Sequence, residues 1–476
     1  MGNIITYPIP EHGKIAVNTR YTVRLRPLGT DEWTEIQCWN VRVDMHDVRD
    51  SSMAFFDFAG PVEIKITVPI KCFYIYKAAI RPLSRGIVCN FEGDTLTFVL
   101  DRPENLSIEL NGDRFRNLHL FAGEIETHTY DTDNTVLVDG DFCGAELAAK
   151  LSAMPKNRTA VFLPGTHEIT DNCFNVPSDT TVLYTGGAVT FGSICCHQVS
   201  NVRFLGRGVV YGNINRETEE ERVFKLTYSH NITVDGLVFI NPPYYTLFIG
   251  SSSNVCVRNI KSFSCEGWSD GIDMMSSSDV HISGCFLRNS DDCIAVYGRR
   301  WEYEGDARNI RVQNCTLWAD VAHPINIGTH GDYQRNGNIL EDMVFSDIDI
   351  LEHHEMQPGY LGCMAINVGD KNLARNITFE NIRVEHFEHG KLFDVQVRHN
   401  PDYNPVPGAG IENIIFKDIT YNGYDAVPSV IAGFDQDRMV RNVEIINLRI
   451  NGRVIRSLQE GDIVVNEFAE GVNIRA

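Results

Sequence analysis

The chain lacks a long apolar segment and an excess of basic residues. No apolar run reaches the roughly 18 residues that a membrane-spanning helix needs, so no membrane span is expected. Lys and Arg number 42 against 63 Asp and Glu, a net charge of -21, which argues against a nucleic-acid partner. Residues 1–14 have neither the basic start nor the apolar stretch of a signal peptide, so a cytoplasmic location is expected.

The cysteines also lack the spacing of a metal site. None of the 13 forms a Cys-x-x-Cys pair, and several lie inside strand-like segments, for example Cys256, Cys285 and Cys315. Buried thiols are the simplest interpretation of this pattern. We therefore predict no metal ion and no cofactor.

What the chain has instead is a repeated short strand. Each repeat starts with Asn or Asp, followed by an aliphatic residue, any residue, and an aliphatic residue or Phe. The repeats begin at Asn201, Asn231, Asn254, Asp279, Asn309, Asp342, Asn376, Asn413 and Asn442, at intervals of 23 to 37 residues. Strands this short bury a core only by stacking on their neighbours, and helical periodicity is nearly absent, so a parallel β-helix is predicted rather than a leucine-rich horseshoe. The initial Asn or Asp is expected to turn the chain through a left-handed conformation, with an internal Asn ladder as the alternative.

The repeat divides the chain into two predicted domains. Residues 134–476 form the β-helix, and the amphipathic segment 144–155 is expected to be an α-helix that caps its open end. Residues 1–122 contain alternating strands split by turn residues, which predicts an antiparallel β-sandwich. The polar segment 123–133 is the predicted linker.

Four polar residues fall at nearly the same phase of successive repeats. Asp270 follows its repeat start by 16 residues, and Asp291 and Asp292 follow theirs by 12 and 13. His323 follows its start by 14 residues. Because coils stack about 4.8 Å apart, these side chains should lie beside one another on one outer ridge.

Clustered carboxylates have a specific chemical consequence. Carboxylates this close cannot all ionise at their ordinary pKa, so at least one pKa should be raised. A protonated carboxyl can donate to a leaving glycosidic oxygen while an ionised neighbour activates water or attacks the sugar. His323 could orient a carboxylate or bind a hydroxyl. The ridge therefore predicts cleavage of an oligosaccharide substrate.

Further polar and aromatic residues near the acids are candidates for substrate binding. Trp268 and Trp301 could stack on sugar faces or simply pack, and Asp273 could face the groove or satisfy a turn. The candidates from this region are Tyr244, Trp268, Asp273, Arg300, Trp301 and His330.

The segments SDGID, SDDCIAV and AHPINIG, in residues 269–328, resemble the catalytic motifs of the polygalacturonase-like glycoside hydrolases, family 28. That family shows Asn-Thr-Asp-Gly, Asp-Asp-Cys and Gly-His-Gly followed by Ser-Ile-Gly. The resemblance implies a right-handed parallel β-helix of the pectin-lyase-like kind and an inverting hydrolase. It implies that Asp291 is the general acid, that Asp270 and Asp292 position and deprotonate water, and that His323 supports them.

The chain also departs from the family pattern. The Arg-x-Lys that grips a galacturonate carboxylate is missing, and the corresponding stretch is AINVGDKN, with Asn367 and Lys371 as candidate substrate-binding residues. A neutral or modified oligosaccharide is therefore expected, and the lack of a secretion signal suggests that imported oligosaccharides are trimmed from a chain end. A β-sandwich ahead of a β-helix is similar to the dextranase and isopullulanase group, family 49.

Two other classes of function fit the same residues. A β-helix polysaccharide lyase would use Ca²⁺ held by the Asp residues and a base such as Arg299 or Arg300. A non-catalytic solenoid would bind carbohydrate without turnover. Rungs roughly 5 Å apart would by distance alone favour retention, because inverting enzymes usually separate their carboxyls by about 6.5–9.5 Å. No sequence feature indicates an oligomeric state.

Overall fold

The computed structural model describes residues 2–212, 222–357 and 359–476. The described chain is almost entirely short β-strands, which confirms the predicted all-β class.

The N-terminal strands, in chain order, are β1 (Asn3–Thr6), β2 (Thr22–Pro27), β3 (Thr34–Ile36), β4 (Trp39–Val43), β5 (Arg49–Ala59), β6 (Val62–Thr67), β7 (Ala78–Arg81), β8 (Cys89–Glu92), β9 (Thr95–Leu100), β10 (Glu104–Leu110) and β11 (Leu118–Glu124).

The first β-helix strands are β12 (Thr135–Val138), β13 (Arg158–Phe162), β14 (Gly165–Asn175), β15 (Thr180–Tyr184), β16 (Ala188–His197), β17 (Ser200–Gly206), β18 (Val209–Tyr211), β19 (Phe224–Thr227), β20 (His230–Asp235), β21 (Val238–Ile240), β22 (Leu247–Gly250), β23 (Ser253–Arg258), β24 (Lys261–Phe263), β25 (Ile272–Met275), β26 (Ser278–Ser283), β27 (Phe286–Asn289) and β28 (Ile294–Tyr297). The later strands are β29 (Ala307–Gln313), β30 (Thr316–Ala319), β31 (Ile325–Gly328), β32 (Ile339–Glu352), β33 (Met364–Val368), β34 (Leu373–Val384), β35 (Gly390–Lys391), β36 (Phe393–Val397), β37 (Gly410–Tyr421), β38 (Ala426–Val427), β39 (Ser429–Ala432), β40 (Val440–Ile446), β41 (Arg449–Ile450), β42 (Arg453–Val454), β43 (Ile463–Val465) and β44 (Ala469–Arg475).

The N-terminal domain consists of two sheets around an apolar core. One sheet has the order β1-β5-β11-β10-β7 with β4 on β5, and the other has the order β3-β2-β6-β9-β8. The prediction of a purely antiparallel sandwich is wrong for one pair, because β11 runs parallel to β5. The strands between them provide the long crossover that a parallel pair needs. Strand β11 also extends to Glu124, two residues into the predicted linker, and a 3₁₀ turn (Thr132–Asn134) precedes β12.

The second domain is a parallel β-helix whose coils each contribute strands to three faces. For example, β20, β23, β26 and β29 stack on the first face, and β21, β24, β27 and β30 stack on the second. The third face stacks β22, β25, β28, β31 and β33. This stacking confirms the predicted parallel β-helix.

The residues that start the repeats turn the chain and also form a ladder. All nine have left-handed backbone conformations, with φ between 52° and 61°. Their side chains lie outside the stack, where the Nδ2 of Asn254 donates to the Oδ1 of Asn231 at 3.1 Å and that of Asn309 donates to the Oδ1 of Asp279. The two uses proposed from the sequence therefore coexist, but the ladder is external rather than internal.

The interior of the β-helix is a set of apolar columns. Val255, Val280 and Ile310 occupy one register position on successive coils. The α-helix α1 (Gly144–Ser152) packs its Leu147 and Leu151 against the first coils, as expected of a cap. Among the described residues, no helix has the length and apolar character needed to cross a membrane.

The two domains share an apolar interface. Strands β4, β5 and β11 lie on the second face of the β-helix, where Trp39 and Phe121 join Phe263, Phe286 and Trp318 in one buried cluster. Burial of this many large side chains removes considerable apolar area from water, so the N-terminal domain is docked rather than tethered.

Buried ionic contacts fix the orientation of the two domains relative to each other. The guanidinium of Arg288 donates to Asp320 at 2.8 Å and to the Oδ1 of Asn117 in the N-terminal domain at 2.9 Å. From the other side, the Nε of Arg81 donates to Glu385 at 2.6 Å. Bidentate and charge-assisted hydrogen bonds are directional, so they hold the domains in one relative position.

Candidate active site

The predicted acids lie at the corner between the second and third faces, in the loops that precede β25, β28 and β31. Asp270, Asp292 and His323 each stand two residues before their strand, on three successive coils. The N–H of Gly271 donates to the carbonyl of Asp292, and that of Cys293 to the carbonyl of His323, both at 2.8 Å. Parallel stacking through these hydrogen bonds brings side chains far apart in sequence onto one ridge.

Three carboxylates meet at this ridge. One oxygen from each of Asp270, Asp291 and Asp292 lies within 4.8 Å of the others. Asp270 and Asp292 are 3% and 4% exposed, and Asp291 is half-buried. The backbone N–H groups of Trp268 and Asp292 both donate to Asp291 at 3.0 Å, and they fix the direction of its carboxyl.

Asp292 is held as the ionised member of the cluster. Its Oδ1 accepts from the Nδ1 of His323 at 2.7 Å, and its Oδ2 accepts from the Nδ2 of Asn326 at 2.7 Å and from the hydroxyl of Tyr297 at 3.2 Å. Burial alone would raise the pKa of Asp292, but the charge of His323 and these hydrogen bonds lower it below its usual value.

His323 is the cation of this pair. Burial alone would lower its pKa, but the adjacent Asp292 carboxylate and its hydrogen bond raise the pKa to about 9. The second ring nitrogen, Nε2, donates to the carbonyl of Tyr360 at 2.9 Å when the ring is protonated. Both ring nitrogens therefore have acceptors, as a charged imidazole requires.

Asp291 has the opposite electrostatic surroundings. Burial and the charge of Asp292 raise the pKa of Asp291 to about 7. Two carboxyls adjacent in sequence are thereby pushed apart in pKa, with one protonated near neutral pH and the other ionised. Such a separation is the usual basis for assigning an acid and a base.

Asp270 and Asp273 are both in unfavourable surroundings for a charge. Burial raises the pKa of each, and neighbouring carboxylates, Asp273 first, raise that of Asp270 further. Asp273 is fully buried, and neither of its oxygens has a hydrogen-bond partner among the described residues. It lies on β25 behind the cavity and does not line it, so its predicted contact with substrate is not present here.

The carboxylates open into a cavity of about 360 Å³. Three of the predicted substrate-binding residues, Trp268, Arg300 and His330, line it. Trp268 is 52% exposed, and Arg300 donates to the hydroxyl of Tyr245 at 2.5 Å. Burial and the charge of Arg300 lower the pKa of His330 well below its usual value, so His330 is neutral near pH 7.

Two further predicted aromatic residues support the lining from behind. The ring of Tyr244 packs at a tilt against Tyr245, with centroids 4.4 Å apart, and its centroid lies 6.4 Å from that of Trp268. Trp301 lies 6.1 Å from the Tyr245 ring, and the guanidinium of Arg300 lies 4.5 Å from the Trp301 centroid. These rings hold Tyr245 and Arg300 in place.

Asn367 and Lys371 do not line the cavity. Lys371 has a left-handed backbone in the turn after β33, and its Nζ donates to the carbonyl of Arg335 at 2.8 Å, which turns the ammonium away from the acids. Asn367 is buried in register between Gly328 and Gln396 on the third face. Both residues therefore lie outside the lining of the cavity that the acids share.

Several cavity residues were missed by sequence reasoning. Met45 and His46 come from the N-terminal domain, and Tyr360 and Tyr403 come from long loops without repeat phase. No periodic signal could have indicated them. Asn326 of the segment AHPINIG, which donates to Asp292, was within reach, because it follows His323 by three residues on the next strand.

A parallel β-helix that carries three aspartates and a histidine at one corner matches the arrangement that the sequence motifs indicated. The sequence profile of glycosyl hydrolases family 28 matches residues 185–460, and the chain belongs to this family. The resemblance seen in the three motifs is thereby confirmed.

Curated relatives match over shorter stretches. A probable endopolygalacturonase D from Neosartorya fischeri is 25% identical over 213 residues, which cover 44% of this chain and 39% of that protein. Exopolygalacturonase A from Aspergillus niger is 24% identical over 207 residues, 40% of this chain and 45% of the relative. The chain thus matches less than half the length of either relative.

Solved structures share the fold across both domains. Dex49A from Penicillium minioluteum superposes with a TM-score of 0.64 at 13% identity, covering 99% of this chain and 96% of its own. The family 28 exopolygalacturonase from Yersinia enterocolitica gives 0.54 at 12% identity, covering 92% and 98%. At these identities the likeness concerns the fold alone.

Proposed function

We propose that this protein hydrolyses glycosidic bonds of an oligosaccharide with inversion at the anomeric carbon. The observation that carries the proposal is the separation of two adjacent carboxyls, the pKa of Asp291 being raised to about 7 and that of Asp292 lowered, at the wall of one cavity. Membership of family 28 supports the reaction class.

In the proposed reaction Asp291 is the general acid. Its proton passes to the glycosidic oxygen as the bond from that oxygen to the anomeric carbon breaks. Water held between Asp270 and Asp292 attacks the anomeric carbon from the opposite face, and its proton passes to Asp292. The products are a sugar with a free anomeric hydroxyl and an alcohol, and a later proton exchange with solvent restores both carboxyls.

The spacing of the acids sets a geometric condition on this scheme. Oxygens up to 4.8 Å apart leave room for one water oxygen that hydrogen-bonds to both, since such bonds are about 2.7–2.8 Å long. The spacing is shorter than the roughly 6.5–9.5 Å usual for inverting carboxyl pairs, so inversion rests on the family rather than on distance. Proton NMR of the first-formed anomer distinguishes inversion from retention.

We propose a neutral or modified sugar, bound at a chain end, as the substrate. The stretch AINVGDKN stands where the family has the Arg-x-Lys that grips a galacturonate carboxylate, so this chain lacks that pair of cations. Among the described lining residues Arg300 is the one fixed cation, and it already donates to the hydroxyl of Tyr245. A cavity of about 360 Å³ is near the small end of the roughly 300–1,000 Å³ range of ligand sites, which supports binding of a terminal unit.

The test is a panel of α- and β-linked oligosaccharides, neutral and uronic, scored for new reducing ends. Wild type, Asp291→Asn and Asp437→Asn are compared, the last removing an exposed carboxyl from a turn far along the chain. We expect wild type and Asp437→Asn to cleave one class of substrate equally well and Asp291→Asn to be nearly inactive.

Other outcomes point to other classes of function. The three carboxylate oxygens have the spacing of a cation site, and Arg300 lines the same cavity, which is the layout that a lyase would need. An unsaturated, ultraviolet-absorbing product that disappears with a chelator would show that the reaction is elimination and not hydrolysis. Sugar binding without any product, unchanged in Asp291→Asn, would make the ridge a binding surface.

A further inference from the structure

The turn between β4 and β5 of the N-terminal domain reaches the cavity of the β-helix. Met45 and His46 line the cavity together with Asp291 and Asp292. The turn is tightly closed, because Asp44 has a left-handed backbone with φ 62° and its carboxylate accepts from the N–H of His46 at 3.0 Å. A short turn of this kind presents the two side chains in a defined direction.

The turn is also fixed to the catalytic loop. The N–H of Met45 donates to the hydroxyl of Ser290 at 3.1 Å, and Ser290 directly precedes Asp291. The Ser290 hydroxyl in turn donates to the carbonyl of Ser264 at 3.0 Å. Because the domains also share a buried interface, the turn is held beside Asp291 by the same contacts that dock the domain.

The turn also lies near a second loop of the site. A methyl group placed on Gly267 would lie 3.9 Å from the Sδ of Met45, so Met45 is adjacent to the loop that carries Trp268. The N–H of Trp268 donates to Asp291, so this loop and the turn both contact the segment that carries Asp291. The same loop continues to Asp270, near which Tyr245 and Arg300 lie.

General acid–base geometry relates the positions of the acid and the base to two parts of a substrate. The acid faces the oxygen of the departing sugar, and the base holds water on the opposite face of the ring that is attacked. The β4–β5 turn, which is hydrogen-bonded to the residue before Asp291, therefore lies where the departing sugar would bind. This assignment rests on the proposed function.

We propose that Met45 and His46 of the N-terminal domain bind the leaving-group sugar and thereby set which oligosaccharides are cleaved. The half-exposed Trp268 ring and the Met45 thioether offer apolar surface to the carbon-bound hydrogens of a pyranose. The exposed His46 imidazole offers one donor and one acceptor to hydroxyl groups. The N-terminal domain is thus part of the substrate site rather than an accessory to it.

The experiment compares two leaving groups on the same enzyme. The substrates are the oligosaccharide that wild type cleaves in the panel and the glycosyl fluoride of its attacked sugar, whose fluoride leaves without occupying a leaving-group subsite. For Met45→Ala and His46→Ala we expect kcat/KM on the oligosaccharide to fall about 10-fold, as for loss of one or two good contacts, with the fluoride rate changed less than about 2-fold.

A matched control and the stability readout separate binding from folding. Val48→Ala alters an exposed residue of the same turn that does not line the cavity, and it should leave both rates unchanged. Thermal unfolding of all variants should match wild type. An equal fall on both substrates would overturn the proposal, because it would mean that the turn acts through the acids themselves.

The remaining outcomes are equally decisive. If wild type cleaves the oligosaccharide and both alanine variants keep full kcat/KM on it, the leaving-group assignment is wrong while the proposed function stands. If wild type releases neither sugar nor fluoride, the proposed function is wrong and this inference is wrong with it.

Discussion

The Nδ1 of His323 lies 2.7 Å from the Oδ1 of Asp292, and both side chains are buried. The pair comes from two successive coils, so the stacking of the β-helix creates it. Its electrostatic effect extends one residue further, because an ionised Asp292 helps to keep the pKa of Asp291 near 7. One ion pair therefore separates the protonated carboxyl from the charged one.

Replacing His323 should shift the pH profile of activity. In the proposed reaction, wild-type activity needs protonated Asp291, so it should decline as pH rises through about 7. It also needs ionised Asp292, whose pKa is lowered by His323. In His323→Gln the pKa of Asp292 rises, so the acidic limb of kcat/KM should move to higher pH. The control is His281→Gln on the outer surface of β26. If the acidic limb of the pH profile stays in place in His323→Gln, the proposed pairing of His323 with Asp292 is contradicted.

Asp291→Asn should remove proton donation without disturbing the fold. The amide keeps the size of the carboxyl, and its single oxygen can still accept from one of the two N–H groups, of Trp268 or Asp292, that donate to the carboxylate. We expect kcat on oligosaccharides to fall by about 10²–10⁴-fold, the usual contribution of a general acid. Hydrolysis of a glycosyl fluoride, which needs no proton donor, should fall far less. Equal losses on both substrates would argue against the acid role.

Asp273→Asn should stabilise the protein at neutral and alkaline pH. The folded-state pKa of Asp273 is raised well above its ordinary value of 3.8, so its unfavourable contribution grows as pH rises above that ordinary value. The amide carries no charge, and the free energy of unfolding should increase by about 1–3 kcal/mol at pH 8. The gain should shrink toward pH 4. Denaturant unfolding at several pH values measures it, with Asp437→Asn as control.

Asp279→Asn should extend the external ladder. Asp279 accepts from Asn309, but as a carboxylate it has no N–H to donate to the Oδ1 of Asn254 on the previous coil. Asparagine can do both and tolerates the left-handed backbone, with φ 55° at this position. We expect unfolding to cost about 0.5–1.5 kcal/mol more, measured by denaturant titration.

The opposite change tests the same idea. Asn231→Ala removes ladder bonds to both neighbouring coils and places an alanine at φ 61°. Stability should fall by about 1–2 kcal/mol, since two side-chain hydrogen bonds are lost and alanine lacks the local hydrogen bonding with which asparagine tolerates a left-handed backbone. Unchanged stability in both variants would show that the ladder does not contribute to the stability of the fold.

Much of the fold could be predicted because the repeat is local. Each four-residue repeat holds a turn residue and an alternation of apolar residues, and strands this short must stack to bury a core. The recurring pattern therefore indicates a β-helix. The phase of Asp270, Asp292 and His323 within the repeats was readable for the same reason, since coils stack in register. The mixed sheet of the N-terminal domain could not be predicted from the sequence, because β5 and β11 pair across a long crossover.

The amino-acid sequence by itself determined the all-β solenoid, the ridge of aspartates and the family, because these depend on patterns that repeat along the chain. Only the tertiary structure decided in which direction the pKa of each carboxyl is shifted, since pKa depends on burial and on neighbours from other coils. It also decided that Met45 and His46 reach the cavity while Lys371 turns away. Domain docking and loop direction arise from contacts between distant segments, which no local pattern encodes.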